Sequence, residues 1–159
     1  MVATVAIQSA PAMLLVKELQ PGIYTVSTSG SGSGIVANAA TGQLVNGSNP
    51  AHAGNYLVIY CTGLGPVQGP NGEAPPVDGA AAPSDVTYST VARVTATIGG
   101  LSAPVSFSGL TPTLVELYQV NVQVPAGIAA GSSVPLVISA TDSQTGATAQ
   151  SNSVTIAVQ

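Results

Sequence analysis

One cysteine and one histidine are all that this chain offers for thiol or imidazole chemistry. A Cys–His nucleophile pair would therefore be Cys61 with His52. Cys61 sits inside the apolar run Asn55 to Thr62, with no basic neighbour to stabilise a thiolate. It reads as a small buried hydrophobe, and His52 as a loop residue. Zinc wants a fuller set of soft ligands than these two residues supply. Among the six acids, Glu73, Asp78 and Asp85 share the stretch 66–86, where Asn71 and backbone carbonyls add oxygens. They lack the D-x-D-x-D-G spacing of a calcium loop, so solvated acids are the simpler reading and calcium the alternative. Glu116 has no second carboxylate placed to face it across a cleft, as glycoside hydrolysis requires. The Gly/Ser run 29–34 is followed by neither a lysine nor a helix pattern and is no phosphate loop. The expectation is a protein that is not an enzyme, with no cofactor and no metal.

What remains is surface chemistry. From Tyr118 the chain alternates strictly: Tyr118, Val120, Val122 and Val124 on one side, Gln119, Asn121 and Gln123 on the other. This period of two marks a half-buried strand, ended by Pro125. The outward amides Gln119, Asn121 and Gln123 are candidate interaction residues for sugar or another chain, against the plainer reading of a solvated face. A second candidate is the first predicted strand, Val2 to Ser9, with Val2, Ala3, Val5 and Ile7 as its apolar residues and Pro11 separating it from the rest.

The composition says what positions these residues. Only 5% of the 159 residues are charged, against about 25% in an ordinary domain. Polarity comes from Ser, Thr, Asn and Gln, and the 18 Gly and 12 Pro suit turns between short strands. A net charge of −4, with Lys17 and Arg93 the only cations, excludes a nucleic-acid footprint. It equally disfavours an anionic membrane surface, and no apolar run is long enough for membrane insertion. Met1-Val2-Ala3 lacks the basic start of a signal peptide, so an exported form would be one from which the signal has gone. The lone Cys61 forms no intrachain disulfide.

In order, strands are expected at Val2 to Ser9, Ile23 to Thr28 and Ile35 to Ala39. Ile35 to Ala39 makes a hairpin with Gln43 to Val45 around Thr41-Gly42, followed by the turn Asn46-Gly47. Asn46-Gly47-Ser48 also fits a glycosylation sequon, the turn being the simpler reading. The non-alternating run Asn55 to Thr62 predicts a strand central in its sheet or buried on both faces. Val67 to Ser84 is a long Pro/Gly-rich loop. Thr87 to Ile98 alternates with Ala92, Val94, Ala96 and Ile98 inward, then turns at Gly99-Gly100 into Ala103 to Ser108. Val134 to Ala140 pairs with Ser153 to Val158, and Pro135 predicts an edge position. Ser29 to Gly34 reads as a loose exposed loop. The sum is an all-β chain, an immunoglobulin-like β-sandwich of about nine to ten short antiparallel strands without helix. Residues 1–20 form an N-terminal strand segment, a donor strand or the remnant of a preceding module, and 21–159 the sandwich domain.

Several of these residues recur together elsewhere. Asn49-Pro50-Ala51, Gly54, Tyr60-Cys61-Thr62-Gly63-Leu64-Gly65, Ile98-Gly99-Gly100 and Leu117-Tyr118-Gln119-Val120-Asn121 through Val124-Pro125 occur in that order. The set resembles the Solibacter/Acidobacteria-type C-terminal domain of large secreted proteins, over about residues 21–159. That family often has Gly in place of Cys61. The resemblance implies an extracellular or cell-surface, Ig-like accessory domain and brings no catalytic residues. On physical grounds Gly63, Gly65, Gly99 and Gly100 are turn residues. Tyr60 and Tyr118 are expected to be buried, each with a hydroxyl within reach of a loop carbonyl.

Three functions follow as expectations. The first is a non-catalytic structural or adhesive module of a secreted or cell-surface bacterial protein. The second is a self-assembling filament subunit whose strand 2–9 completes a neighbour's sheet edge, its partners being other modules or copies of itself. The third is a carbohydrate-binding module using the 66–86 loop, weakened by the absence of Trp and the few aromatics: Tyr24, Tyr56, Tyr60, Tyr88, Tyr118 and Phe107.

Overall fold

The structure, a computed structural model, describes residues 17–159; the expected strand with Val2, Ala3, Val5 and Ile7 lies outside them. The described residues form an all-β structure of twelve strands with no helix. The larger, seven-stranded sheet contains β1 (Gly22–Ile23), β2 (Val36–Asn38), β3 (Tyr56–Thr62), β4 (Val67–Gln68), β5 (Ser89–Thr90), β8 (Val105–Leu110) and β9 (Tyr118–Gln123). Its order is β1–β3–β9–β8–β5–β4, with β2 also pairing β3. The smaller, five-stranded sheet holds β6 (Arg93–Ile98), β7 (Leu101–Ala103), β10 (Gly131–Thr141), β11 (Thr148–Gln150) and β12 (Val154–Val158). It runs β11–β10–β6–β7, with β12 also on β10. The pairings within both sheets are antiparallel, and both sheets are open.

Period-two alternation decides which side of each strand is buried. Leu57, Ile59 and Cys61 of β3 and Val120 and Val122 of β9 are fully buried, and they share one core with Ala96 and Ile98 of β6 and Leu136 and Ile138 of β10. Two sheets thus face each other across a single apolar layer, a sandwich-like arrangement. Each Leu, Ile or Val among them contributes about 1.5–3 kcal/mol when fully buried. A smaller cluster of Val67, Ala82, Tyr88 and Leu110 sits beside it. Tyr118 packs against both clusters, and its hydroxyl donates a 2.6 Å hydrogen bond to the Gly65 carbonyl, closing the 63–66 turn over the end of β3. At Gly63 (φ 72°) a Cβ would collide with the Gln20 carbonyl, so this crossing demands glycine.

Several expectations change. The run Asn55 to Thr62 is central in its sheet, but only one face is buried: Tyr56 is 50% exposed and Val58 and Tyr60 are half-exposed. Tyr60 is accordingly not a buried tyrosine, and Tyr118 is only half-buried. Thr87 to Ile98 is two strands, β5 in the larger sheet and β6 in the smaller, because the chain crosses between sheets at Val91-Ala92. Pro104 marks the reverse crossing from β7 to β8. Ile23 to Thr28 shrinks to β1 plus a bridge at Thr25.

Pro135 is not at an edge. It lies in β10, between β6 and β12, where the Gly99 amide donates to its carbonyl at 2.8 Å. Without an N–H it still accepts from Gly99, just past β6, on one side, while Thr155 of β12 stands opposite it on the other. Ser29 to Gly34 is anchored rather than loose. The Asn152 side chain accepts from the Ile23 amide (2.7 Å) and donates to the Ile23 and Gly30 carbonyls (3.0 and 2.8 Å). One side chain thereby stands in for a strand along the β1 edge. The outer edge of β12 is covered in the same sense by backbone bonds from residues 32, 34 and 51. The remaining edge strands β4, β7 and β11 are two or three residues long.

Candidate functional site

The one imidazole and the one thiol do not converge. His52 precedes β3 and Cys61 lies near its far end; the imidazole Nδ1 is 3.0 Å from the Gln159 carbonyl. Burial alone pushes the Cys61 thiol from 9.0 up to about 12, so it stays a neutral thiol at physiological pH. No three His, Cys, Asp or Glu side chains among the described residues come together as a metal cage. Glu73 is instead absorbed by its own loop: its carboxylate accepts from the backbone and side-chain amides of Asn71, both at 2.9 Å, which lowers its pKa. Asp78 and Asp85 are exposed. Glu116 is exposed in a left-handed backbone conformation (φ 53°) just before β9.

The 66–86 stretch forms one wall of an open groove of about 790 Å³, between the β3 end, Pro75 to Ala80 and Val115 to Tyr118. Three carboxylates, Glu18, Asp78 and Glu116, line it together with prolines and aliphatic residues. Its aromatics are Tyr24 and Tyr118, and the Tyr118 hydroxyl is already committed to Gly65. This is poor material for the sugar-binding loop that the sequence suggested, which wants open aromatic faces.

Aromatic faces occur elsewhere. The register of β3 and β9 sets Tyr56 opposite Gln123, Val58 opposite Asn121 and Tyr60 opposite Gln119, all on the outer side of the larger sheet. On the other flank of β9, Phe107 stands opposite Asn121 and Gly109 opposite Gln119. A bulge between Val105 and Phe107 is what brings Phe107 to this side. Beyond β8, the same face continues to Ser89 and Gln68. The predicted amide row therefore exists, and it lies between two tyrosines on one side and a phenylalanine on the other.

The row is held in place by its own bonds. Gln119 Nε2 donates to Asn121 Oδ1 (3.2 Å) and Gln123 Nε2 to the Gly54 carbonyl (3.3 Å). All three amides are half-buried among their neighbours. A Cβ at Gly109 would lie 2.6 Å from Phe107 Cζ, so the phenyl ring lies across the glycine and against the sheet. Reading β9 alone found the amides and missed Tyr56, Tyr60 and Phe107. The Tyr56-x-Val58-x-Tyr60 spacing was the available signal; Phe107 had none, because the bulge that reorients it is a feature of pairing.

No family model, curated protein or solved structure matches the chain.

Proposed function

We propose that this chain is a non-catalytic adhesive module, an immunoglobulin-like sandwich carried by a secreted or cell-surface protein. One observation carries the reading. The best-organised set of unusual residues is an open sheet face, where amides and aromatic rings are laid out for contact, while the sole thiol is buried and neutral. An open face of amides and aromatic rings without charge along its path suits adhesion to an extended surface better than it suits turnover of a small substrate. The likeness to secreted Acidobacteria-type domains supports the same compartment. The test is location and retention. Immunoblots of fractions from producing cells are expected to place the protein in the medium or on the surface, and beads coated with the full chain to remain on the cells' matrix after washing. A protein confined to the cytoplasm, or beads that wash away, would overturn the reading.

A further inference from the structure

The outer face of the larger sheet carries no charged side chain along the path Gln68, Ser89, Phe107, Gln119, Asn121, Gln123, Tyr56, Val58 and Tyr60. It joins two functional groups, the aromatic ring and the carboxamide, in adjacent rows on β3, β9 and β8. We propose that this face binds a neutral polysaccharide, with Tyr56, Tyr60 and Phe107 as stacking platforms and Gln119, Asn121 and Gln123 as the hydroxyl-reading row. The proposal rests on the adhesive reading and names the partner of the same face.

Charge selects the ligand class. A face without charge offers nothing to phosphates, anionic lipid headgroups or charged peptide segments, whereas a neutral sugar loses no ion pair on meeting it. The functional groups then match those of a pyranose ring. Its axial C–H groups make a weakly polarised apolar surface that packs on the face of a Tyr or Phe ring, and its rim of hydroxyls both donates and accepts. Carboxamides do both in return, with a donor and an acceptor on separate atoms. Among the described residues, Asn121 Nδ2 and the Oε1 atoms of Gln119 and Gln123 have no protein partner, while the other half of the Gln119 and Gln123 amides is tied down. Each amide is thus oriented by one bond and keeps another for a ligand, which lowers the entropy cost of binding.

The layout also sets the ligand's length. Tyr56 and Tyr60 are four residues apart on β3, about 13 Å along a strand. That is longer than one sugar ring, so a chain of sugars running along β3 engages both tyrosines and a free monosaccharide does not. Phe107, its ring lying over Gly109, bounds the far side of the row.

The experiment uses the full chain, a glycan array carrying neutral and acidic saccharides, and pull-down on insoluble neutral glucans, xylan and chitin. The expected result is retention on at least one neutral polymer, insensitive to salt. The double substitution Tyr56→Ala/Tyr60→Ala is expected to weaken retention by at least about tenfold. Gln119→Ala/Asn121→Ala should weaken it less, and Thr95→Ala/Thr97→Ala on the other sheet not at all. A readout that needs no variant is side-chain amide NMR, where the Gln119, Asn121 and Gln123 signals should shift on adding the matching oligosaccharide. No binding to any neutral glycan, binding only to acidic ones, or binding that survives Tyr56→Ala/Tyr60→Ala with unmoved amide signals would each overturn the proposal. So would a concentration-dependent dimer abolished by Tyr56→Ala/Tyr60→Ala, since a second copy would then own the face. Bead retention on cells without any glycan binding would sink this proposal and leave the adhesive reading standing.

Discussion

The two sheets bury their inner faces in one core, yet their outer faces are made of different materials. On the smaller sheet the outward positions pair Thr97 with Ser102 and Val137, Thr95 with Ser139, and Arg93 with Thr141. On the larger sheet the equivalent positions hold Tyr56, Val58, Tyr60, Phe107 and the three amides. Both faces meet the same demands of pleat, twist and solvent, and β-branched hydroxyl residues satisfy those demands cheaply. Thr141 and Thr148 even bond to each other across the strands at 2.9 Å. Folding therefore accounts for the smaller sheet's surface and leaves the larger sheet's aromatic and amide content unexplained. That surplus is the reason to look for a partner there.

The contrast can be broken in graded steps. The shared inner layer should be the most sensitive: Leu57→Ala in one sheet or Ile138→Ala in the other should each cost about 2–5 kcal/mol in denaturant unfolding. Similar losses from both sheets would confirm a common core, whereas a loss confined to one would separate them. Alkaline pH should act next. The folded thiol of Cys61 keeps its proton up to about 12, while the unfolded thiol loses it near 9.0. Its contribution is thus fully present below pH 9.0 and fades as pH rises toward 12, by an amount on the order of a few kcal/mol. Cys61→Ala should flatten that part of the stability–pH profile; a profile identical to the wild type's would show that Cys61 is not its source.

Asn152→Ala should follow, removing three bonds that hold β1 and the Ser/Gly turn, at a cost of about 1–3 kcal/mol. Hydrogen exchange at Ile23 is the direct readout, and unchanged protection there would refute the edge-capping role. Tyr118→Phe loses only the bond to Gly65 and should cost about 1 kcal/mol. Smallest of all, Thr97→Ala on one outer face and Gln119→Ala on the other should both stay within about 0.5 kcal/mol. Thermal melts showing a large loss for Gln119→Ala would mean that the amide row serves the fold after all.

Some of this was legible in the sequence for a definite reason. Strict alternation in β6 and β9 is a local property, and the buried Val94, Ala96, Ile98, Val120 and Val122 sit where it put them. The Thr41-Gly42 and Gly99-Gly100 turns, and the pairing of β10 with β12, followed from turn chemistry and apolar runs alone. Pro135 misled because its strand's neighbours, β6 on one side and β12 on the other, are set by long-range pairing that a local proline rule does not see. The apolar run Asn55 to Thr62 correctly marked a strand central in its sheet, while Tyr60 misled because a tyrosine looks apolar enough to be buried though its face meets solvent.

The residues themselves determined that the described part of this chain is all-β and that the chain is poor in charge, because composition and period-two patterning act over a few residues at a time. They also determined that Gln119, Asn121 and Gln123 share a side. Tertiary structure alone decided what stands beside them. Register between β3 and β9, and the bulge in β8, are set by which apolar residues must meet in the core. A one-residue slip would have sent Tyr56, Tyr60 and Phe107 to the opposite faces. The aromatic and amide surface is thus a by-product of how the inner faces pair, and only the folded sheet displays it.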